Sequence, residues 1–308
     1  MSAAGSNSRR PEGPPGRPSH WRILVGRQVR SARFRVGLMV VITMLTLALL
    51  CDIIAPYPAE GAGVAPPDAV SKILLPPSTE HLFGTDGMGR DLFSRVVMGT
   101  RSALLQILVV VSVSLVMGLA VGVISAYFRG VVEMVITYLT ELFMSIPAIV
   151  LALSFAITIG RGLTTVVLSL VVTWWSWYAR IAYVYARSIV EMDYVTLSRL
   201  SGLNPLKIVW RHVVRNVYPP VAVQAITDMG SVLLEATAIN FLSLGVPLNS
   251  PEWGVIMYEG KDVLVTAPWV TIFPGLFLLI TALGFSLLGD SLREALDPRL
   301  RRRWRLWF

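Results

Sequence analysis

Apolar residues gather into six blocks, at 36–56 and at about 102–127, 133–159, 163–186, 221–245 and 268–289. As a helix rising 1.5 Å per residue, each block reaches through a hydrocarbon core of about 30 Å. The pattern therefore predicts six membrane-spanning helices. The first block is too long for the apolar part of a signal peptide, begins late and lacks a small-residue cleavage site, so it reads as a retained span. Within the second block, Ser114, Gly118 and Gly122 recur every fourth residue, the spacing that lets two helix backbones approach closely. Pro147 falls inside the third block and predicts a kink there.

The longest polar interruption of the second half, 187–219, predicts two short helices meeting at a corner. Glu191 and Asp193 suit the positive N-terminus of the first helix. Gly202 suits its left-handed C-cap, Asn204 caps the second helix and Pro205 takes that helix's first position. Along the second helix, Leu206, Val209, Trp210, Val213 and Val217 form one stripe, and Lys207, Arg211 and Arg215 form the opposite one. Tyr218-Pro219-Pro220 is expected to stop it before the next span. A basic stripe of this kind suits the anionic headgroups of membrane lipid. The apolar corner is better explained by a protein partner.

Composition agrees with a membrane protein: 54% of the 308 residues are apolar and 15% charged, with a mean hydropathy of +0.64. The net charge of +8 is placed at the ends. Eight arginines lie between Arg9 and Arg35, and Arg299, Arg301, Arg302, Arg303 and Arg305 follow the last block. Basic flanks set topology under the positive-inside rule, so both termini are expected in the cytoplasm. The 187–219 loop, on the same side, is basic, while the 57–100 and 246–267 loops lean acidic, as an outer side requires. Without an aromatic-interleaved basic groove, nucleic acid is not the expected partner. Cys51 is the single cysteine, which excludes an internal disulfide.

Against this background, EMDYVTLSRLSGLNPLKIVWRHVVRNVYPP (191–220) resembles the EAA loop of bacterial ABC-importer membrane subunits. More narrowly, it resembles the C-type permease subunit of dipeptide/oligopeptide importers, a binding-protein-dependent transport system inner membrane component. HLFGTDGMGRDLFSRVVMGTR (81–101), SWYARIAY (176–183), LLEATAINFLSLGVPLNSPEWGVIMYEGKDVLVTAPW (233–269) and LLGDSLREALDPRLR (287–301) extend the likeness over about residues 34–301. Two departures stand out. Thr196-Leu197-Ser198 replaces the Glu-Ala-Ala triplet, and Arg215 replaces a proline near the loop's end.

The resemblance implies an all-α polytopic membrane protein, six transmembrane helices with cytoplasmic coupling helices, of the type I ABC-importer permease fold. Ahead of the spans, composition predicts a basic, largely disordered tail at 1–35, with 1–20 rich in Ser, Gly, Pro and Arg. The first apolar block predicts a transmembrane helix at 36–56. An extracytoplasmic loop with an amphipathic helix follows at 57–100. A five-helix core at 101–290 contains the 187–219 coupling loop, and a second basic tail covers 291–308. The implied function is that of a permease subunit in the bacterial inner membrane, forming half of a peptide pathway. Its partners would be a second homologous permease subunit, cytoplasmic ATPase subunits and an extracytoplasmic peptide-binding protein. The coupling surface would be Tyr194, Leu197, Arg199, Leu200, Ser201, Gly202, Leu203, Asn204, Pro205 and Leu206. ATP would be hydrolysed by the partners, since this chain has no G-x-x-x-x-G-K-[ST] loop, and no cofactor is expected on the chain itself. Glutathione or a nickel chelate is the alternative cargo, and a membrane-embedded enzyme or a stand-alone carrier the alternative class.

Other chemistry is sparse. Asp86, Arg90 and Asp91 invite a metal reading, but a capped turn leading into an amphipathic helix (Leu92, Val96, Val97) lying flat on the outer surface is more economical. His20, His81 and His212 are scattered and form no metal-binding set. Glu235 lies deep in the fifth span, where a carboxylate must face the bundle or a wet cavity. It is either a structural hydrogen-bonding group or part of the wall of the pathway. Asp228, nearer the cytoplasmic end, is expected to reach water more easily. Trp174, Trp175 and Trp177 read as an interfacial belt, with Trp174 as a second candidate for the pathway's inner mouth.

Overall fold

In the computed structural model, which describes residues 31–296, Ser31 opens the first helix by accepting the Phe34 amide at 3.1 Å. This helix, α1, spans Ala32–Ile54. The expectations for 1–30 and 297–308, disorder and basic tails included, lie outside the described residues. A one-turn α2, Pro58–Gly61, and a 3-10 turn, Ala69–Lys72, follow. The chain then enters α3, Leu92–Phe128, whose 37 residues make about 55 Å of continuous helix. Next come α4 (Gly130–Met144), α5 (Ala148–Thr158), α6 (Leu163–Val190), α7 (Asp193–Leu200) and α8 (Pro205–Ile208). A π-helical stretch, Val209–Val214, leads into α9, Arg215–Phe241. Finally, α10 (Trp253–Gly260) and α11 (Trp269–Leu296) complete an all-α chain. Among the described residues the one β-type contact is the isolated bridge between Thr85 and Asp91.

Three helices, α1, α3 and α11, are long and apolar enough to cross a membrane, and α4 with α5 supplies a fourth as a bent pair. With 28 and 27 residues, α6 and α9 have the length to cross as well. The bend expected at Pro147 is a break of 84° between α4 and α5. Proline has no N–H for the helix ladder, and the residue before it avoids the helical region, so the chain turns at Ser145-Ile146 and restarts beyond. The small-residue stripe of α3 is its seam with α6. A Cβ on Gly118 would lie 2.5 Å from the Tyr178 Cβ and 2.6 Å from the Trp175 carbonyl oxygen, and one on Gly122 would strike the Ala179 carbonyl oxygen.

Two expectations about helix limits need correction. The amphipathic helix expected to lie flat at the outer surface is instead the first turns of α3. Leu92, Val96 and Val97 are fully buried, because α10 packs Trp253 against this stretch and its indole donates to the Val96 carbonyl at 2.9 Å. The second correction concerns Pro219-Pro220, which stand inside α9 rather than ending a helix. Their missing N–H groups leave two carbonyls of the preceding turn without the usual partner, and the widened π turn just before them is a common accommodation of such strain.

At the end of the bundle away from the 187–219 loop, the 57–91 segment is locked to α10 through buried charges. Asp86 accepts from the Arg90 Nε and an Arg95 Nη, both at 2.7 Å, and Arg90 reaches Glu259 at 2.9 Å. Asp86, Arg90 and Arg95 are fully buried. Two guanidinium groups thus face two carboxylates, so the cluster is neutral as a whole, the condition under which buried charge is tolerated. Asp91 caps α3 through the Ser94 amide at 2.8 Å and stands 2.9 Å from the His81 Nδ1. The capped turn expected at this motif is present, with Asp91 as the cap.

Candidate functional site

The corner at 198–206 is built by local rules. The Gly202 amide bonds to the Arg199 carbonyl at 3.0 Å and the Leu203 amide to the Ser198 carbonyl at 3.3 Å. This paired closure of α7 requires the residue after the cap to be left-handed, and Gly202 has φ +74°. Two residues on, the Asn204 side chain accepts the Leu206 amide at 2.8 Å, and Pro205 opens α8. Val195, Ile208 and Val213 anchor the pair in the core. Arg199 lies over the Tyr127 ring at 4.4 Å, which ties α7 to the end of α3, and the rings of Tyr194 and His212 lie 5.8 Å apart.

A rigid base therefore presents an open tip. All ten residues expected at the coupling surface, Tyr194, Leu197, Arg199, Leu200, Ser201, Gly202, Leu203, Asn204, Pro205 and Leu206, are exposed. Leu200 and Leu206 stand out most, at 80% and 70% of full exposure. A cluster of bare leucines on a stiff corner is what an interaction surface offers. Trp210, 74% exposed, joins this region and was missed. The stripe on which the sequence placed it divides in the structure: Val213 and Val217 are buried and Val209 half-buried, whereas Leu206 and Trp210 at its start stand exposed.

In the span region, α6 and α9 are joined by two acid–indole bonds. Trp174 Nε1 donates to Glu235 Oε2 at 2.9 Å, and Trp177 Nε1 donates to Asp228 Oδ2 at 3.1 Å. Gln224 donates to the other Asp228 oxygen at 2.8 Å. Two of the three tryptophans expected as an interfacial belt thus point their polar edges at carboxylates. Trp175 instead packs edge-on to Phe143 at 5.5 Å. The expected ease of access for Asp228 is reversed: it is buried, at 7% exposure, while Glu235 is half-buried. Turned the same way, Ser231 and Leu234 are exposed. The Glu235 end of this polar strip therefore reaches the surface of the single chain while its Asp228 end is sheltered within it, and polar groups at membrane depth face protein or water rather than lipid.

The loop end carries a further ionic set. Arg129 pairs with Glu191 at 2.9 Å and Arg187 with Glu133 at 3.0 Å, linking the ends of α3, α4 and α6 below the corner.

Residues 118–302 match the family described as binding-protein-dependent transport system inner membrane component. The chain is 34% identical over 267 residues to the di/tripeptide transport system permease protein of Pseudomonas aeruginosa (strain UCBPP-PA14), covering 83% of this chain and 86% of that one. It is 30% identical over 295 residues to the dipeptide transport system permease protein of Alkalihalophilus pseudofirmus, covering 96% and 95%. It is 32% identical over 266 residues to the nickel transport system permease protein of Escherichia coli (strain K12), covering 86% and 94%. Among solved structures, an inward-facing conformation of the MetNI methionine ABC transporter shares the fold, with a TM-score of 0.53 at 20% identity over 66% of this chain and 97% of that one. The matched region holds both the exposed corner and the acid–indole pairs, and the chain belongs to the family of inner membrane components of binding-protein-dependent transport systems.

Proposed function

We propose that this chain is one of two membrane subunits of an ATP-driven peptide importer. The observation that carries the reading is the corner at 198–206, whose backbone is fixed by its caps while its leucines stand free. Such a corner suits insertion into a cleft of a cytoplasmic ATPase subunit, whose closure on ATP would tilt the spans as a rigid body. The chain itself then performs no hydrolysis. An extracytoplasmic binding protein delivers the cargo, and six spans place both termini in the cytoplasm.

The strip made by Trp174, Asp228 and Glu235 is half of the pathway wall, completed by a second, homologous permease subunit. Three observations support this. The strip is polar, it lies in the two least apolar long helices, and its Glu235 end is half-exposed beside Ser231 and Leu234. Peptides are the proposed cargo because relatives of this length and identity are named as dipeptide and di/tripeptide permeases. The nickel permease relative supports the alternative of a metal chelate.

Reconstitution in liposomes with the ATPase subunits, the second permease subunit and the binding protein tests the reading. Uptake of labelled di- and tripeptides should require ATP and all the partners. Uptake by this chain alone without ATP would refute it, and uptake of a nickel chelate but no peptide would transfer it to the alternative cargo.

A further inference from the structure

A groove of about 1110 Å³ runs between α3 and the 203–218 segment. Its floor is apolar, formed by Val116, Leu119, Ala120 and Ile124 of α3 with Ile208 and Val209 opposite. Its rim carries Lys207, Arg211 and Arg215, with Tyr218 beside them, and no acid lines it. We infer that this groove binds an anionic glycerophospholipid, with one acyl chain on the α3 floor and the phosphate at the basic rim.

Four observations converge on that occupant. First, the rim cations are unmatched: Lys207, Arg211 and Arg215 make no ion pair or side-chain hydrogen bond with the described residues. By contrast, Arg129, Arg180 and Arg187 at the same end all hold carboxylates. Second, the depth fits. Val116 lies about 18 Å along the axis from the end of α3 at Phe128, comparable with the roughly 15 Å half-thickness of a hydrocarbon core. Third, the groove lies on the face of α3 opposite Ser114, Gly118 and Gly122, so it is separated from the seam with α6. Fourth, charge excludes the chain's own N-terminal tail, whose eight arginines would meet three more cations. An ATPase outside the bilayer can reach the rim but not the floor. Basic pockets between spans on the cytoplasmic side are recognised lipid headgroup sites.

The inference rests on the proposed orientation only for the leaflet involved; the selectivity for headgroup does not depend on it. The test is native mass spectrometry of the full-length chain within its complex, extracted from vesicles of phosphatidylethanolamine doped with phosphatidylglycerol. The wild-type chain should retain phosphatidylglycerol selectively. A triple variant, Lys207→Gln, Arg211→Gln and Arg215→Gln, should retain it on the order of 100-fold less, at roughly a factor of five per cation. Ala120→Trp, which fills the floor and leaves the rim intact, should lose the lipid too. Equal retention of both lipids, or retention unchanged in both variants, overturns the inference. So does retention seen only when the ATPase subunits are absent, which would identify the ATPase as the occupant of the rim.

Discussion

Trp174 on α6 donates its indole N–H to the Glu235 carboxylate on α9 across 2.9 Å, joining residues 61 positions apart in the chain. The bond gives a half-buried carboxylate its one side-chain donor among the described residues. Trp174→Phe should therefore leave a desolvated carboxylate unpaired and lower stability by about 1–3 kcal/mol. Glu235→Gln keeps an acceptor and sheds the charge, so it should melt near the wild type in detergent. If the strip is part of the pathway, Glu235→Gln should still slow uptake of peptides. Normal uptake at normal stability would remove Glu235 from the wall.

The corner separates local strain from docking. No atom lies within 4 Å of a Cβ built on Gly202, so Gly202→Ala meets only the left-handed backbone penalty, about 1–2 kcal/mol. Leu203→Arg alters no core contact. It should leave thermal melting unchanged and abolish co-purification of the ATPase. Equal recovery of ATPase by wild type and Leu203→Arg would dismiss the docking role.

Gly122 tests the seam between α3 and α6. A side chain there would strike the Ala179 carbonyl oxygen and crowd the Ala182 Cβ at 2.8 Å, neither of which can rotate away. Gly122→Val should destabilise the fold by about 3 kcal/mol or more, at or above the upper end of overpacking effects. Its yield after detergent extraction should fall, whereas Gly87→Val, with open space around it, should extract normally.

Glu252 gives a pH dependence. It caps α10 by accepting the Gly254 amide at 2.8 Å and the Val255 amide at 3.1 Å, yet burial pushes its carboxyl from 4.5 up to about 7. A carboxyl raised on folding holds more protons folded than unfolded between those two values. Its contribution is fully present below pH 4.5 and is lost as pH rises through about 7, a change of about 3 kcal/mol. Melting of the wild type should fall across that window relative to Glu252→Gln, which retains the cap without titrating. Parallel curves for the two would refute it.

Much of this was legible from sequence where the cause is local. The Gly202-Leu203-Asn204-Pro205 corner follows from neighbouring residues alone: a left-handed glycine, an amide cap and a fixed proline φ operate within one turn. The break at Pro147 and the small-residue stripe at Ser114, Gly118 and Gly122 follow for the same reason. Hydrophobic blocks likewise announced long helices, because an apolar run of that length has few other fates.

What sequence could not settle involves partners far away in the chain. Arg90 meets Glu259 across 169 positions, and that cluster, with Trp253 packed beside it, turns an expected surface helix into the buried start of α3. The indole bonds reverse which acid is sheltered. Burial along the apolar stripe of the second helix is also set by its neighbours: Val213 and Val217 are covered, while Leu206 and Trp210 are left bare. Periodicity assumes a constant turn and says nothing of cross-helix donors. Sequence alone thus determined the helices and the corner, whereas only tertiary structure decided their phase and the mates of their buried charges, since both depend on which helices come to lie side by side.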